Sequence, residues 1–396
     1  MPVSGEELMA EAGELLPDAV TLRRKIHANP ELGLDLPETA AAVLESLQGI
    51  DLEIARSEKS SGFLATLRGA RPGPAILLRA DMDALPMPED TDLEFKSRNE
   101  GRMHACGHDA HTAMLALAAR LLDRHRDQMA GNVVLMFQPG EEGHFGAKVM
   151  IDEGLLDGVP DLGAAFAIHI APPLPPGVVA SRPGPIMAAA DIFQVKLQGK
   201  GGHASMPHDA VDPVPVACEI VQALQTLVTR RIDVFDPVVL TVTQIEAGTT
   251  TNVIPESARL LGTLRSTSEQ ARERAQEGIR RVATQIAAAH QVEPDIVIVN
   301  GYPVTVNDAE FSAFARTVTK DLLGADACVE MPSPLMGAED FSCVLQKLPG
   351  AIVLLGARPA GGVPPAPLHS NRMMLNEEGM QVGIALHAAI ALRYLK

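Results

Sequence analysis

Tryptophan is absent and tyrosine occurs only twice, so aromatic residues make up 3% of the chain. A sequence this poor in flat rings has little with which to stack nucleobases. Positive charge is also scarce: 33 Lys and Arg stand against 50 Asp and Glu, a formal charge of −17. That balance repels phosphate backbones and anionic membrane surfaces, and no basic cluster relieves it, so no nucleic-acid partner is expected. No run of about 18 apolar residues exists to cross a bilayer, and no membrane partner is expected. Met1–Leu16 carries no basic region ahead of an apolar stretch, so the expected location is cytoplasmic. Cysteines number four, at 106, 218, 328 and 343, without framework spacing, and imply no disulfide scaffold. Cys218, Cys328 and Cys343 lie among apolar neighbours and read as small buried residues.

What the chain does have is 396 residues, 46% of them hydrophobic, more than one core usually serves. Leu15–His27 has helical spacing and stops at Asn29-Pro30, and Leu36-Pro37-Glu38-Thr39 opens a second helix. Apolar bursts at Ala75–Arg79, Val133–Phe137, Ala164–Ile168 and Ala351–Leu355 read as buried strands of a central, mostly parallel sheet. They lead to acidic or imidazole groups: Asp81 and Asp83, Glu141 and Glu142, His169 and, less directly, His369. In α/β sheets ligands bind in the crevice beyond the carboxyl ends of the strands, so these groups can meet there. Between Ile192 and Val299 the order becomes strand, helix, two strands, helix, strand, that of a ferredoxin-like sandwich. The expectation is an α/β domain of residues 1–186 and 303–396, its sheet flanked by helices, with an inserted α+β domain at 187–302 between proline-containing hinges.

The densest chemistry is Met103–His111, reading Met-His-Ala-Cys-Gly-His-Asp-Ala-His, ahead of the helical run Ala113–Leu122. Thiolate and neutral imidazole suit a borderline-soft transition metal. Asp109 reads as the helix N-cap, which leaves Cys106 and His108 in the turn before it, where residues two apart share a side. A capped helix with stray polar residues is the bland alternative, and the density of donors weighs against it. His27, taken alone, reads as a helix-face histidine. Cys106, His108, Glu142, His169 and His369 are the candidate ligands. They exceed the roughly three that one catalytic ion takes while keeping a place for water, and suffice for two ions if the Cys106 thiolate bridges. One ion with spare polar groups also satisfies the count. Glu141 points away from its neighbour Glu142 in an extended or turning segment, free of the ion and able to accept a proton from water. In the insert, the glycine-rich turn Gln198–Ser205 presents His203, the polar loop Gly248–Pro255 holds Asn252, and Arg265 ends a strand where it can pair with a carboxylate. Each alone reads as a hairpin turn or a solvated strand end; together they suit a lid that grips substrate. No Gly-Lys-Ser/Thr follows in register to make a nucleotide loop.

In these motifs the chain resembles the N-acyl-amino-acid amidohydrolases, the hippurate hydrolase and auxin-conjugate hydrolase branch of the aminoacylase/carboxypeptidase G superfamily. The resemblance runs from Arg23–His27 through Arg79–Pro86, Met103–His111, Gln138–Gly143, Gly201–Ser205, Thr251–Pro255 and Gly337–Phe341 to His369-Ser370. It implies an enzyme that hydrolyses N-acyl amino acids to a carboxylic acid and an amino acid, with two divalent metal ions as cofactors. Cys106 would bridge them, with His108 and His169 on one ion and Glu142 and His369 on the other. Glu141 would be general base and then proton donor to the amine, and Asp83 would support the ligands from behind. The insert becomes a lid or dimerisation domain whose His203 stabilises the oxyanion, reaching a neighbouring subunit of a homodimer or higher homo-oligomer. Asn252 and Arg265 would hold the small-molecule substrate. Other branches place a metal-binding histidine where this chain has Asp81 and a bridging aspartate where it has Cys106, with His108 supplying the imidazole here. Sulfur favours zinc, while the remaining donors also accept manganese, cobalt or nickel. A dipeptidase, aminopeptidase or carbamoyl-amide hydrolase would use the same site. A catalytically dead binding module is the rival from another class, and Glu141 beside a complete ligand set speaks against it.

Overall fold

Strands of Val, Leu, Ile and Ala without polar breaks need cover on both faces, and the architecture supplies it. The structure, a computed structural model, describes residues 3–362 and 364–396. The first two residues of the expected 1–186 segment, and Val363 in the loop before His369, lie outside them. The chain divides into two compact units. The first takes the chain up to Gly184, Val306–Pro332 and everything from Cys343; the second takes Pro185–Thr305 and Ser333–Ser342.

The first unit holds an eight-stranded sheet in the order Glu53–Arg56, Phe63–Arg68, Ala130–Gln138, Arg71–Asp81, Leu162–Ala171, Gly350–Gly356, Val179–Ser181, Cys328–Glu330. The four consecutive strands from Ala130–Gln138 to Gly350–Gly356 are mutually parallel, with antiparallel pairs on either side. Alternate side chains such as Ile76, Leu78, Val133, Leu135, Phe166 and Val353 pack on helices Gly5–His27, His108–Arg124, Ala309–Leu323 and Met380–Tyr394. Their neighbours Leu77, Val134, Ala165 and Ile352 are equally buried on the other face. The carboxyl ends of the central strands thus deliver Asp81, Glu141 and His169 from one rigid platform.

Two local expectations are corrected. The first helix begins at Gly5, capped by the Ser4 side chain, not at Leu15, because Leu8, Ala12 and Leu15 continue one buried stripe straight through Pro17. The helix after the cysteine motif begins at His108, with Gly107 as its cap at φ 88°, not with Asp109 as N-cap. Asp109 sits inside the first turn, where its carboxylate accepts from Arg23 Nε at 3.0 Å and faces His27 Nδ1 at 2.8 Å. A negative charge there still suits the helix dipole.

The second unit is an antiparallel sheet ordered Val238–Ala247, Ser257–Ser266, Ala189–Gln198, Glu293–Asn300. Helices Pro213–Arg231 and Glu269–Ala289 cover one face through Phe193, Val195, Leu260, Ile220 and Ile279, giving the ferredoxin-like sandwich. The reading of three buried cysteines is also corrected: Cys218 is exposed, and Cys328 and Cys343 are half-buried. Cys218 has apolar neighbours in sequence, but helical periodicity turns it outward while Ala217 and Ile220 face the core. Among the described residues no helix is long and apolar enough to cross a membrane.

Candidate metal centre

Gly107 lets the ligand loop close. It holds φ 88°, and a Cβ there would lie 2.3 Å from Ile170 Cδ1, so a larger residue would be strained and would force the Ile170 side chain or the loop to shift. Cys106 lies just before this glycine and His108 just after it. The C-terminal loop docks on the same segment, with His369 N–H donating to the Ala105 carbonyl at 2.8 Å. His369 is itself in the left-handed region at φ 65°, a strain that non-glycine residues bear mainly at functional sites.

Two sets of donor atoms converge. Cys106, His108 and His169 offer ligand atoms within 4.8 Å of one another, and so do Cys106, Glu142 and His369. Cys106 belongs to both. Its Sγ lies 3.4 Å from His169 Nε2, and His369 Nε2 lies 3.2 Å from Glu142 Oε1. That last contact lacks hydrogen-bond alignment, and both Glu142 Oε1 and the buried His108 Nε2 have no hydrogen-bond partner. Buried polar atoms are rarely left so unless a ligand takes them. Sulfur, imidazole and carboxylate together fit a divalent transition ion.

Asp83 organises three of these groups. The buried His108 Nδ1 donates to the Asp83 carbonyl at 2.9 Å and lies 3.3 Å from Asp83 Oδ1, which leaves Nε2 for an ion. The same carboxylate accepts the amides of Glu141 at 3.0 Å and Glu142 at 2.9 Å. Glu141 is buried, its carboxylate within 4.8 Å of the ligand atoms of His108 and Glu142. Burial alone would raise the Cys106 pKa, yet His169 and His108 hold it down at about 6. The close approach of Cys106 and Glu142 lifts His369 to about 10. The cluster therefore favours a thiolate.

Asp81, His108 and His111 form a further close set, but His111 is not available to an ion. Its Nδ1 faces Asp81 Oδ1 at 2.6 Å and its Nε2 accepts the Ile170 amide at 2.8 Å. Burial lowers its pKa to about 4 despite Asp81, so it is neutral. Sequence reasoning gave His111, Arg79 and Gln138 no role. The available signal was the spacing of Arg79 and Asp81, two apart on one side of a strand end. His27, read as a helix-face histidine, is buried between Asp109 and Glu89.

In the second unit His203 and Asn252 come together. Gly202–His203 pairs with Val253–Ile254, and the Ala204 amide donates to the Asn252 carbonyl at 3.0 Å. Both residues are exposed. The Ser205 amide donates to His203 Nδ1 at 3.1 Å, so neutral His203 carries its proton on Nε2. Arg265 stands apart from them, paired opposite Val239 and Ala190 near the far end of Ser257–Ser266. From Ser257 it lies eight residues on, roughly 26 Å along an extended strand.

The chain is similar to known proteins over most of its length. Residues 77–393 match the model of peptidase family M20/M25/M40. The chain is 39% identical to thermostable carboxypeptidase 2 of Saccharolobus solfataricus over 396 residues, 98% of either chain. It is 39% identical to IAA-amino acid hydrolase ILR1-like 4 of Arabidopsis thaliana, covering 98% of this chain and 88% of that one. Among solved structures it is similar to the Bacillus subtilis YXEP protein, a dinuclear metal binding peptidase from the M20 family. That match has a TM-score of 0.83 and 32% identity, covering 97% of this chain and 99% of that one.

Proposed function

Because the chain belongs to peptidase family M20/M25/M40, we propose that it is a metal-dependent amidohydrolase cleaving N-acyl amino acids to a carboxylic acid and a free amino acid. The observation that carries this reading is the membership of Cys106 in both donor sets, with the Glu141 carboxylate beside them. On this reading His108 and His169 hold one divalent ion, Glu142 and His369 hold the other, and the Cys106 thiolate is shared. Zinc or manganese is proposed, with cobalt or nickel as substitutes. Such ions, when bound, polarise the acyl carbonyl and bring the pKa of bound water to ~7.

The chain's own groups do the rest. Glu141 accepts the proton of the attacking water and returns it to the leaving amine nitrogen. Asp83 sets the directions of His108 and of both glutamates. His203 donates its Nε2 proton in a hydrogen bond to the tetrahedral oxyanion. Asn252 and Arg265 hold the substrate, Arg265 through its carboxylate. The distance between Arg265 and the His203 turn supports a homodimer or higher homo-oligomer in which His203 serves a neighbouring subunit. The proposed location is the cytoplasm, where the Cys106 thiol stays reduced.

A second reading has support from the carboxypeptidase relative. An N-acyl amino acid and the C-terminal residue of a peptide share one scissile unit, an amide whose nitrogen bears a carboxylate-carrying carbon. Dipeptides and carbamoyl amides are then the competitors. The test is kcat/KM for hippurate, N-acetyl and indoleacetyl amino acids, dipeptides and N-carbamoyl amino acids, using protein loaded in turn with each of the four metals. N-acyl amino acids should be cleaved fastest. Preference for dipeptides or carbamoyl compounds overturns the substrate class, and two bound ions with no hydrolysis across the panel overturns the enzyme itself.

A further inference from the structure

Behind the ligand loop lies a line of buried side chains that no ion requires: Gln138, Arg79, Asp81 and His111. Arg79 Nε donates to Gln138 Oε1 at 2.8 Å and Arg79 Nη1 to Asp81 Oδ2 at 2.6 Å. Asp81 Oδ1 lies 2.6 Å from His111 Nδ1, and the Ile170 amide donates to His111 Nε2 at 2.8 Å. The Ile170 carbonyl lies 2.8 Å from His169 Nδ1, and His169 Nε2 faces Cys106 Sγ at 3.4 Å.

Backbone partners fix one proton on each ring. A backbone amide only donates, so His111 Nε2 holds a lone pair and its proton is on Nδ1, given to Asp81. A carbonyl only accepts, so His169 carries a proton on Nδ1, which leaves Nε2, facing Cys106, as the nitrogen it can offer to an ion. The residue after His169 is therefore gripped at both polar atoms, by His111 at its N–H and by His169 itself at its carbonyl. Metal-ligating imidazoles need their second nitrogen fixed in this way. Here the fixing group is the carbonyl of Ile170, the same residue whose amide His111 accepts. Asp81 Oδ2, 3.5 Å from His108 Nε2, is already engaged by Arg79.

We propose that His111, oriented by Asp81 and Arg79, is a positioning residue that fixes His169 for the ion it shares with Cys106 and His108. It sets the affinity of that position without touching the ion. The inference rests on the two-ion reading above.

Two substitutions separate the contacts. In His111→Gln the side-chain oxygen takes the place of Nε2 and can accept the Ile170 amide. In His111→Asn the amide group takes the place of Nδ1, keeping Asp81 and abandoning Ile170. Cobalt is titrated into the apo protein against a competing chelator, following the thiolate-to-cobalt absorption of Cys106 and the ion count. His111→Asn should weaken one of the two ions by about 10–100-fold and change that absorption. His111→Gln should recover most of the affinity, while urea midpoints of the two apo variants stay alike. Wild-type affinity for both ions in both variants overturns the proposal, as does a loss that follows apo stability instead of the Ile170 contact. Fewer than two cobalt ions on the wild type would instead sink the two-ion reading.

Discussion

The two halves of the proposed metal centre are built differently. His108 and His169 are buried, and each has its Nδ1 committed, to Asp83 in one case and to the Ile170 carbonyl in the other. On the opposite side the His369 side chain is 53% exposed, its backbone is left-handed at φ 65°, and Glu142 retains 12% exposure. One half stands on a strand and a helix; the other includes a loop late in the chain, where the His369 amide donates to the Ala105 carbonyl. A site whose donors are already ordered binds with less loss of freedom. The buried position should therefore hold its ion tightly, and the open position should exchange.

The largest effect should come from a change that leaves both halves intact. Glu141→Gln should keep two ions, measured by elemental analysis, while kcat falls by about 10²–10⁴-fold. Surviving turnover would move the proton-transfer role elsewhere. Next come the ligands themselves, compared as a pair. After dialysis against graded free metal, His169→Ala should lose its ion with a penalty beyond the ~100-fold ceiling of a supporting contact. His369→Ala should lose the other ion and regain it when metal is raised. Equal penalties would erase the difference between the halves.

The two halves also differed in how far sequence exposed them. Met103–His111 packs its donors closely enough to favour a metal site over a capped helix with stray polar residues, and the unbroken apolar runs before Asp81, Glu141 and His169 indicated a parallel platform. In the second unit, strict alternation as in Ile192–Leu197 marked half-buried strands, and their order gave the sandwich. What stayed hidden depended on partners distant in the chain. Asp109 obeys the local rule for an N-cap, but Arg23 and His27, more than eighty positions upstream, claim its carboxylate. His111 sits among ligands in sequence and is excluded from their role only because Asp81 and Ile170 occupy both its nitrogens. Cys218 has apolar sequence neighbours, yet the helix turns it to solvent. Spacing reports which side a residue faces, and only the fold reports what waits there.

The smallest effect on turnover should come from the brace furthest behind the buried half. Asp109 follows His108 directly, and it is held by Arg23 at 3.0 Å and His27 at 2.8 Å, with His27 Nε2 3.2 Å from Glu89. Burial pushes the His27 pKa down, but the Asp109 charge and the hydrogen bonds to Asp109 and Glu89 outweigh it and raise it from 6.5 to about 9. The folded protein thus binds this proton more tightly than the unfolded chain. Its contribution is complete below pH ~6.5 and disappears as pH rises through ~9, amounting to something on the order of 3 kcal/mol. Urea unfolding of wild type and His27→Gln should show the widest gap at pH below ~6.5 and a narrow one above ~9. Turnover of the two at neutral pH should differ little, because Arg23 still pairs with Asp109 and His108 keeps its Asp83 contact. A gap that stays constant or widens with pH would mean that His27 is neutral in the fold, and that Arg23 alone balances the carboxylate behind the buried half.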